Sequence, residues 1–125
     1  MADVLTNLGE EFVVDQLVAS AGLWGGWGTG AGTAAKTDTT LSTAATEARV
    51  AATLSKSGTG SSAKFRMVFT ITADGTKTIT NYGLFDAAGS GSPPSGGNLV
   101  IHGDHTGVAL DASDSIQYTI DADPA

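Results

Sequence analysis

Residues 64–86 read KFRMVFTITADGTKTITNYGLFD, and this stretch decides the fold class. In its first half, apolar side chains occupy every second position, at Phe65, Met67, Phe69 and Ile71. This is the two-residue period of a strand with one buried face. The turn-like Ala73-Asp74-Gly75 then leads into a run from Thr76 to Tyr82 that is rich in β-branched residues. The pattern predicts two strands joined as a β-hairpin.

Shorter strand-like runs lie on both sides of this hairpin. They are found within residues 23–32, 47–54, 99–101, 108–110 and 115–121. The runs are separated by Gly, Ser, Thr and Pro, most clearly in the loop AAGSGSPPSGG at residues 87–97. Six or seven short strands predict a mainly β fold, a compact antiparallel β-sandwich of jelly-roll or immunoglobulin-like type.

One helix is predicted, from Asn7 to Ser20, because apolar residues there fall near helical spacing. They are Leu8, Phe12, Val13, Leu17 and Val18. Thr6 or Asn7 is a suitable cap for its start, and Gly22 is a natural stop. We therefore expect a single domain over residues 1–125, with an N-terminal helix or arm at 1–22 and the β-sandwich at 23–125. The apolar stripe should pack into the core, or act as a docking face if it is exposed.

The composition limits the partners and the chemistry that are expected of this chain. The 125 residues include 13 acidic and 6 basic ones, so the net charge of −7 disfavours nucleic acid and anionic membranes as partners. There is no Cys, which excludes disulfides and thiolate chemistry. The first residues do not resemble a secretory signal, and no stretch approaches the roughly 18 apolar residues of a membrane span, so we expect synthesis in the cytoplasm.

No segment predicts catalysis or a cofactor. The Gly28-Thr29-Gly30-Ala31-Gly32 turn lacks the helix that a phosphate-binding loop requires, and no Ser lies in a nucleophile elbow. Glu10 and Glu11 are adjacent, so on a helix their carboxylates diverge by about 100° and do not form a catalytic pair. The sequence therefore predicts a protein that is not an enzyme and has no cofactor.

A metal site is likewise not predicted. His102 and His105 flank Asp104, but no third ligand at a suitable spacing accompanies them. Asp104, Asp111 and Asp114 lack the spacing of a calcium loop. Surface or interface histidines are the favoured interpretation.

Trp24 and Trp27 are interpreted as anchors of the core or of a subunit interface. The alternative is a carbohydrate-binding module in which Trp24, Trp27 and Tyr82 stack on sugar rings. That alternative requires the two Trp side chains to be exposed.

Several short motifs occur together in one order along the chain. They are Gly28-Thr29-Gly30, Asp38-Thr39-Thr40-Leu41, Glu47-Ala48-Arg49, Ile79–Asp86 and Gly96-Gly97-Asn98-Leu99. Their order resembles a group of small structural proteins of tailed bacteriophages, in which a WGTGTG…DTTL…E.R half precedes an IT..GLFDA…GG.L half. The resemblance covers the chain from about Trp27 to Ile120.

The resemblance implies a virion protein, with capsid decoration (cement) as the favoured role. Such a protein binds the outer surface of the head and bridges neighbouring major capsid protein subunits, commonly as a homotrimer. A tail-fibre, tail-tip or collar component is the alternative. The hypothetical interface residues are two on the helix, the two Trp and two in the Gly/Pro loop: Leu8, Phe12, Trp24, Trp27, Pro93 and Pro94.

Overall fold

The computed structural model describes residues 3–20 and 22–123 of the chain. This part contains one α-helix, seven strands and a 3₁₀ turn at Gly60–Ser62. The helix and strands are α1 Asn7–Ser20, β1 Trp24–Gly28, β2 Val50–Ala51, β3 Thr53–Ser57, β4 Lys64–Thr72, β5 Lys77–Phe85, β6 Leu99–Leu110 and β7 Ser115–Ala122. The predicted bounds of the helix are confirmed.

The strands form two antiparallel sheets. A four-stranded sheet has the order β2-β1-β5-β6, and a three-stranded sheet has the order β3-β4-β7. The predicted mainly β fold with one N-terminal helix is therefore confirmed, and the two sheets are consistent with a β-sandwich.

The predicted hairpin between β4 and β5 is wrong, because the two strands belong to different sheets. The backbone of the connecting turn bonds to other segments instead. The Ala73 N–H donates to the Asp114 carbonyl at 2.7 Å, and the Asp74 N–H donates to Glu47 Oε2 at 2.9 Å. Alternation correctly identified β4 and its buried face, but it carries no information about the neighbouring strand.

Two further strand predictions are corrected. Residues 47–54 were expected to form one strand, but β2 and β3 lie in different sheets. Between them, the Ala52 N–H donates to the Leu23 carbonyl at 2.9 Å. Residues 99–101 and 108–110 were expected to be separate, but both lie in the 12-residue β6. The polar middle of β6 stays extended because it pairs with β5, as in Gly83↔His102.

The residues group into two compact units. The first, here called the helix unit, contains residues 3–20, 53–68 and 118–123 of the described chain. The second, called the motif unit, contains residues 22–52 and 69–117 and includes the whole four-stranded sheet. The sequence-based expectation of a single domain stays a prediction.

Each unit has buried side chains of its own. In the helix unit they include Val14, Phe65, Met67 and Tyr118. In the motif unit they include Trp27, Leu41, Phe69, Ile71, Ile79, Leu84 and Phe85. Gly25 allows a close approach within the motif unit, since a Cβ at this position would lie 2.3 Å from Cδ2 of Phe69.

Candidate functional site

The start of α1 is fixed by a side-chain cap. Thr6 Oγ1 accepts a hydrogen bond from the Gly9 N–H at 3.0 Å, and the Thr6 carbonyl accepts the Glu10 N–H at 2.8 Å. Thr6 is therefore the N-cap, one of the two residues predicted for this role. The observed helix ends at Ser20, and Gly22 is the predicted stop. Residue 21, between them, lies outside the described part of the chain.

The apolar residues of α1 are divided between two sides of the helix. Val14, which was absent from the predicted stripe, is 0% exposed, whereas Leu8 is 79% and Phe12 61% exposed. At about 100° per residue, Leu8 and Phe12 project away from the side that carries Val14. The expectation of one core-facing stripe is corrected accordingly, because its members do not share a single side of the helix.

An exposed apolar surface therefore marks the N-terminal region. Val4 is 80% and Leu5 49% exposed, and the Leu5 side chain lies against Gly9 in the first turn of α1. Together with Leu8 and Phe12, these residues are called the apolar helix face. Large apolar side chains exposed side by side in this way are typical of interaction sites.

Ionic contacts hold α1 within the helix unit through residues that lie beside the apolar helix face. Glu11 Oε1 pairs with Lys56 Nζ at 2.6 Å, and Glu11 Oε2 accepts the Gly60 N–H at 3.1 Å. Lys56 also pairs with Asp15 at 3.1 Å. The hydrogen bonds from Lys56 and Gly60 lower the pKa of Glu11 below its usual value. These contacts connect α1 to β3 and to the 3₁₀ turn, while Leu8 and Phe12 stay exposed.

Trp27 is a core residue of the motif unit. Its side chain is 2% exposed, and Nε1 donates a hydrogen bond to Glu47 Oε1 at 2.8 Å. Glu47 also forms a buried ion pair with Lys77, which pairs in turn with Asp74 at 2.8 Å. Burial raises the pKa of Glu47, but hydrogen bonds from Lys77, the Asp74 N–H and Trp27 together lower it below its usual value.

The two Trp side chains do not form an exposed platform. Trp24 is half-buried and Trp27 is buried within its own chain. The requirement for sugar stacking on this pair is not met. Trp27 is also inaccessible to a protein partner. Its assignment as a hypothetical interface residue is therefore corrected, and Trp27 is a core residue.

The Gly/Pro loop is held by Arg49. Its Nη1 donates to the carbonyls of Ala87 at 3.0 Å and Gly96 at 2.8 Å. The guanidinium also lies over the Phe85 ring, 3.5 Å from the ring centroid. In this loop Pro93 is exposed and Pro94 is half-buried, so Pro93 is the one fully at the surface.

The loop that contains Asp38 is connected to β5 and β6 by a polar network. The two ring nitrogens of His102 face Asp38 Oδ2 at 2.7 Å and Asn81 Oδ1 at 3.1 Å. Asn81 in turn bonds both backbone groups of Ser42, at 3.1 and 3.0 Å. Hydrogen bonds from the Ala35 N–H and from His102 lower the pKa of Asp38 below its usual value. The network joins segments far apart in sequence and rigidifies the motif unit.

His105 has a different environment from His102. Its ring stacks on Tyr82 with the centroids 6.2 Å apart. Within residues 3–20 and 22–123, no three His, Asp or Glu side chains come close enough together to hold a metal ion. The rings of His102 and His105 therefore have separate sets of contacts.

The glycine turn has a structural partner. The N–H groups of Thr29 and Gly30 donate to the carbonyls of Thr43 and Ser42 at 2.9 and 2.8 Å. A Cβ at Gly28 would lie 2.5 Å from the Ser42 carbonyl oxygen. These backbone donors are therefore engaged by the chain itself, and Gly28 permits the close approach.

Sequence reasoning recognised the motif residues but not what they contact. Asp38, Arg49 and Asn81 were quoted only as members of a pattern, yet each bridges distant segments. The signal that could have indicated these contacts was the presence of a polar residue within a motif of otherwise apolar or small residues.

The family comparison covers the part of the chain that carries these motifs. The model of one family, described as podophage GP4 fiber I protein gp80, matches residues 9–122, which is most of the chain. The chain belongs to this family. The gp80 fiber family match supports the prediction of a phage virion structural protein and of a virion location. Searches of curated proteins and of solved structures found no match.

The match includes α1 from Gly9 onward as well as the motif unit. In the part of the chain that the structure describes, no helix has the length and apolar character needed to cross a membrane.

Proposed function

We propose that this member of the gp80 fiber family is a fibre component of the podophage virion. The observation that carries the proposal is the family match over residues 9–122, because the family description names a fibre protein. It favours the tail-fibre alternative of the sequence analysis over capsid decoration. Contact with the major capsid protein, location on the outer capsid surface and absence of enzymatic activity stay predictions.

The apolar helix face supplies the attachment to the particle in this proposal. Leu8 and Phe12 are one helical turn apart, the spacing with which a helix inserts into an apolar groove of a partner. Both side chains are mostly exposed, so binding would remove apolar area from water at roughly 25 cal/mol per Å² before the costs of association.

The charge pattern favours a different protein over a second copy as the occupant of this face. Asp3 precedes the apolar residues, Asp15 lies two helical turns after Leu8 on the same side of α1 with its side chain 52% exposed, and the whole chain carries a net charge of −7. Two copies joined through this face would bring like charges together, whereas a groove with a basic rim would be complementary. Homotrimer formation through other surfaces is a separate proposal, which light scattering of the purified protein measures.

The test is cryo-electron microscopy of particles assembled with wild-type, Phe12→Asp or Val108→Asp protein. Val108 is the matched control, because it is also an exposed apolar residue, 40% exposed, but lies on β6. We expect wild-type and Val108→Asp protein at the tail in few copies, and Phe12→Asp protein missing from particles. Circular dichroism should show that both variants are folded.

Two results would contradict the proposal in different ways. Normal incorporation of the Phe12→Asp protein would exclude the apolar helix face as the attachment site. Density in hundreds of copies on the head surface would instead exclude a fibre and establish capsid decoration.

A further inference from the structure

A groove of about 300 Å³ lies beside Arg49 in the motif unit. Its lining includes Thr39, Thr40 and Leu41, together with residues 94–97 of the Gly/Pro loop. Arg49 and Phe85 also line it. This volume is at the lower end of the range for small-molecule sites, which suits a ligand the size of a single ring.

The Arg49 guanidinium retains unused hydrogen-bond donors. Nη1 bonds the carbonyls of Ala87 and Gly96, and no other hydrogen bond joins the guanidinium to the described residues. A guanidinium has five N–H groups, so the Nε and Nη2 edge is free to bind a carboxylate with two parallel hydrogen bonds.

The positive charge of Arg49 is also not neutralised by direct contact. No carboxylate in residues 3–20 or 22–123 lies within ion-pair distance of its guanidinium. The nearby Asp86 is bound instead by the Asn98 N–H at 2.7 Å and Asn98 Nδ2 at 2.9 Å. Burial lowers the pKa of Arg49 from its usual value, and Asp86 opposes this. A partly desolvated cation held over an aromatic ring is a favourable anion site.

The remaining lining favours a sugar as the carrier of that carboxylate. Thr39 and Thr40 are exposed and have no hydrogen-bond partner among the described residues. Pro94 is half-buried and offers apolar surface beside them, and the mostly buried Leu41 and Phe85 also line the groove. We propose that this groove binds a carboxylate-bearing sugar, with Arg49 on the carboxylate and the two Thr hydroxyls on sugar hydroxyls. The site is independent of where in the particle the chain lies.

The test is a nuclear magnetic resonance titration of the ¹⁵N-labelled full chain. We expect glucuronate to shift the Arg49 Nε–H signal and the amides of Thr39, Thr40, Gly96 and Gly97, with a dissociation constant of about 1 mM. Glucose lacks the carboxylate and acetate lacks the ring, so each should bind about tenfold more weakly or not at all. A dipeptide with a free carboxyl terminus distinguishes a peptide ligand from a sugar.

Two variants separate binding from folding. Arg49→Lys keeps the charge but loses the planar fork, and it should abolish the glucuronate shifts. Thr40→Val is nearly isosteric at an exposed position, so it should weaken binding several-fold without changing the thermal melt. Glucuronate binding equal to that of acetate, shifts outside the groove, unchanged affinity in Thr40→Val or tighter binding of the dipeptide would each overturn the proposal.

Discussion

The motif unit and the helix unit use polar and apolar residues in opposite ways. In the motif unit, polar side chains such as Glu47, Asn81 and His102 are turned inward and bond to segments far apart in sequence. In the helix unit, ionic side chains hold α1 from one side while Leu8 and Phe12 remain exposed. The motif unit is distinguished by its buried polar groups, and the helix unit by the most exposed of the large apolar side chains.

This difference assigns rigidity to the motif unit and attachment to a partner to the helix unit. Buried polar groups that are fully hydrogen-bonded specify one arrangement and make the surrounding loops stiff. Mostly exposed apolar side chains contribute little to the stability of the isolated chain and are available to a partner. Substitutions of the buried polar groups of the motif unit should therefore lower stability, whereas substitutions on the apolar helix face should mainly alter assembly.

The largest loss of stability is expected from Trp27→Ala. Removing a buried aromatic side chain typically lowers the free energy of unfolding by about 3–5 kcal/mol, and here it also removes a donor from Glu47. Trp24→Ala should lower it by clearly less, because Trp24 is half-buried. Urea denaturation followed by circular dichroism measures both.

Trp27→Phe separates the hydrogen bond from the packing. It keeps most of the ring but removes the Nε1 donor, so a loss of about 1–3 kcal/mol is expected. Equal losses in the two alanine variants would remove the distinction between a core Trp and a surface Trp.

Glu47→Gln should have the next largest effect, with a distinctive pH dependence. At pH 7 it breaks a buried ion pair with Lys77, and a loss of about 3 kcal/mol is expected. The pKa of Glu47 lies below 4.5 in the folded chain, so its contribution is complete above pH 4.5 and is lost as the pH falls through the lowered pKa. The gap in melting temperature between wild type and Glu47→Gln should therefore shrink below pH 4.5.

Asp74→Asn is the matched control for that measurement. Asp74 also pairs with Lys77, but its side chain is 57% exposed, so its loss should be smaller at pH 7. A gap between wild type and Glu47→Gln that stays constant from pH 7 to pH 3 would contradict the role given to the ionised Glu47.

The sequence predicted the elements better than their partners. Helix α1 was predicted with its correct bounds because Thr6 supplies a cap and the apolar spacing is helical. Strands β4 and β7 were predicted because alternation reports which side chains share a face. Alternation does not report the neighbouring strand, which is why β4 and β5 were wrongly paired and β2 and β3 wrongly joined.

The contacts of the site were beyond sequence reasoning for a related physical reason. The Trp27–Glu47 and Asp38–His102 bonds join residues 20 and 64 positions apart, and no local pattern encodes such a distance. The exposure of Leu8 and Phe12 was also not determined, because α1 has apolar residues on several sides and only the fold selects Val14 for burial.

A smaller effect distinguishes the two sides of α1. Val14→Ala removes apolar atoms from a fully buried side chain, so a loss of about 1–2 kcal/mol is expected. Leu8→Ala removes more atoms, but from a side chain that is 79% exposed, and should change stability by less than about 0.5 kcal/mol. Chemical denaturation of the two variants in parallel tests the assignment, and the reverse order would place the core on the side of Leu8.

The smallest effect is expected from Lys56→Gln, which removes the ionic contacts of α1 with Glu11 and Asp15. These side chains are partly exposed, so the melting temperature should fall by less than in Val14→Ala. Because salt screens exposed charges, the difference from wild type should be largest at low ionic strength and nearly absent at about 1 M salt. It should also vanish well below pH 4.5, since the lowered pKa of Glu11 means that its contribution is lost only as the pH falls through that value. A difference that persists in high salt would mean that the aliphatic part of Lys56, and not its charge, holds the helix, and Lys56→Met would then restore wild-type stability.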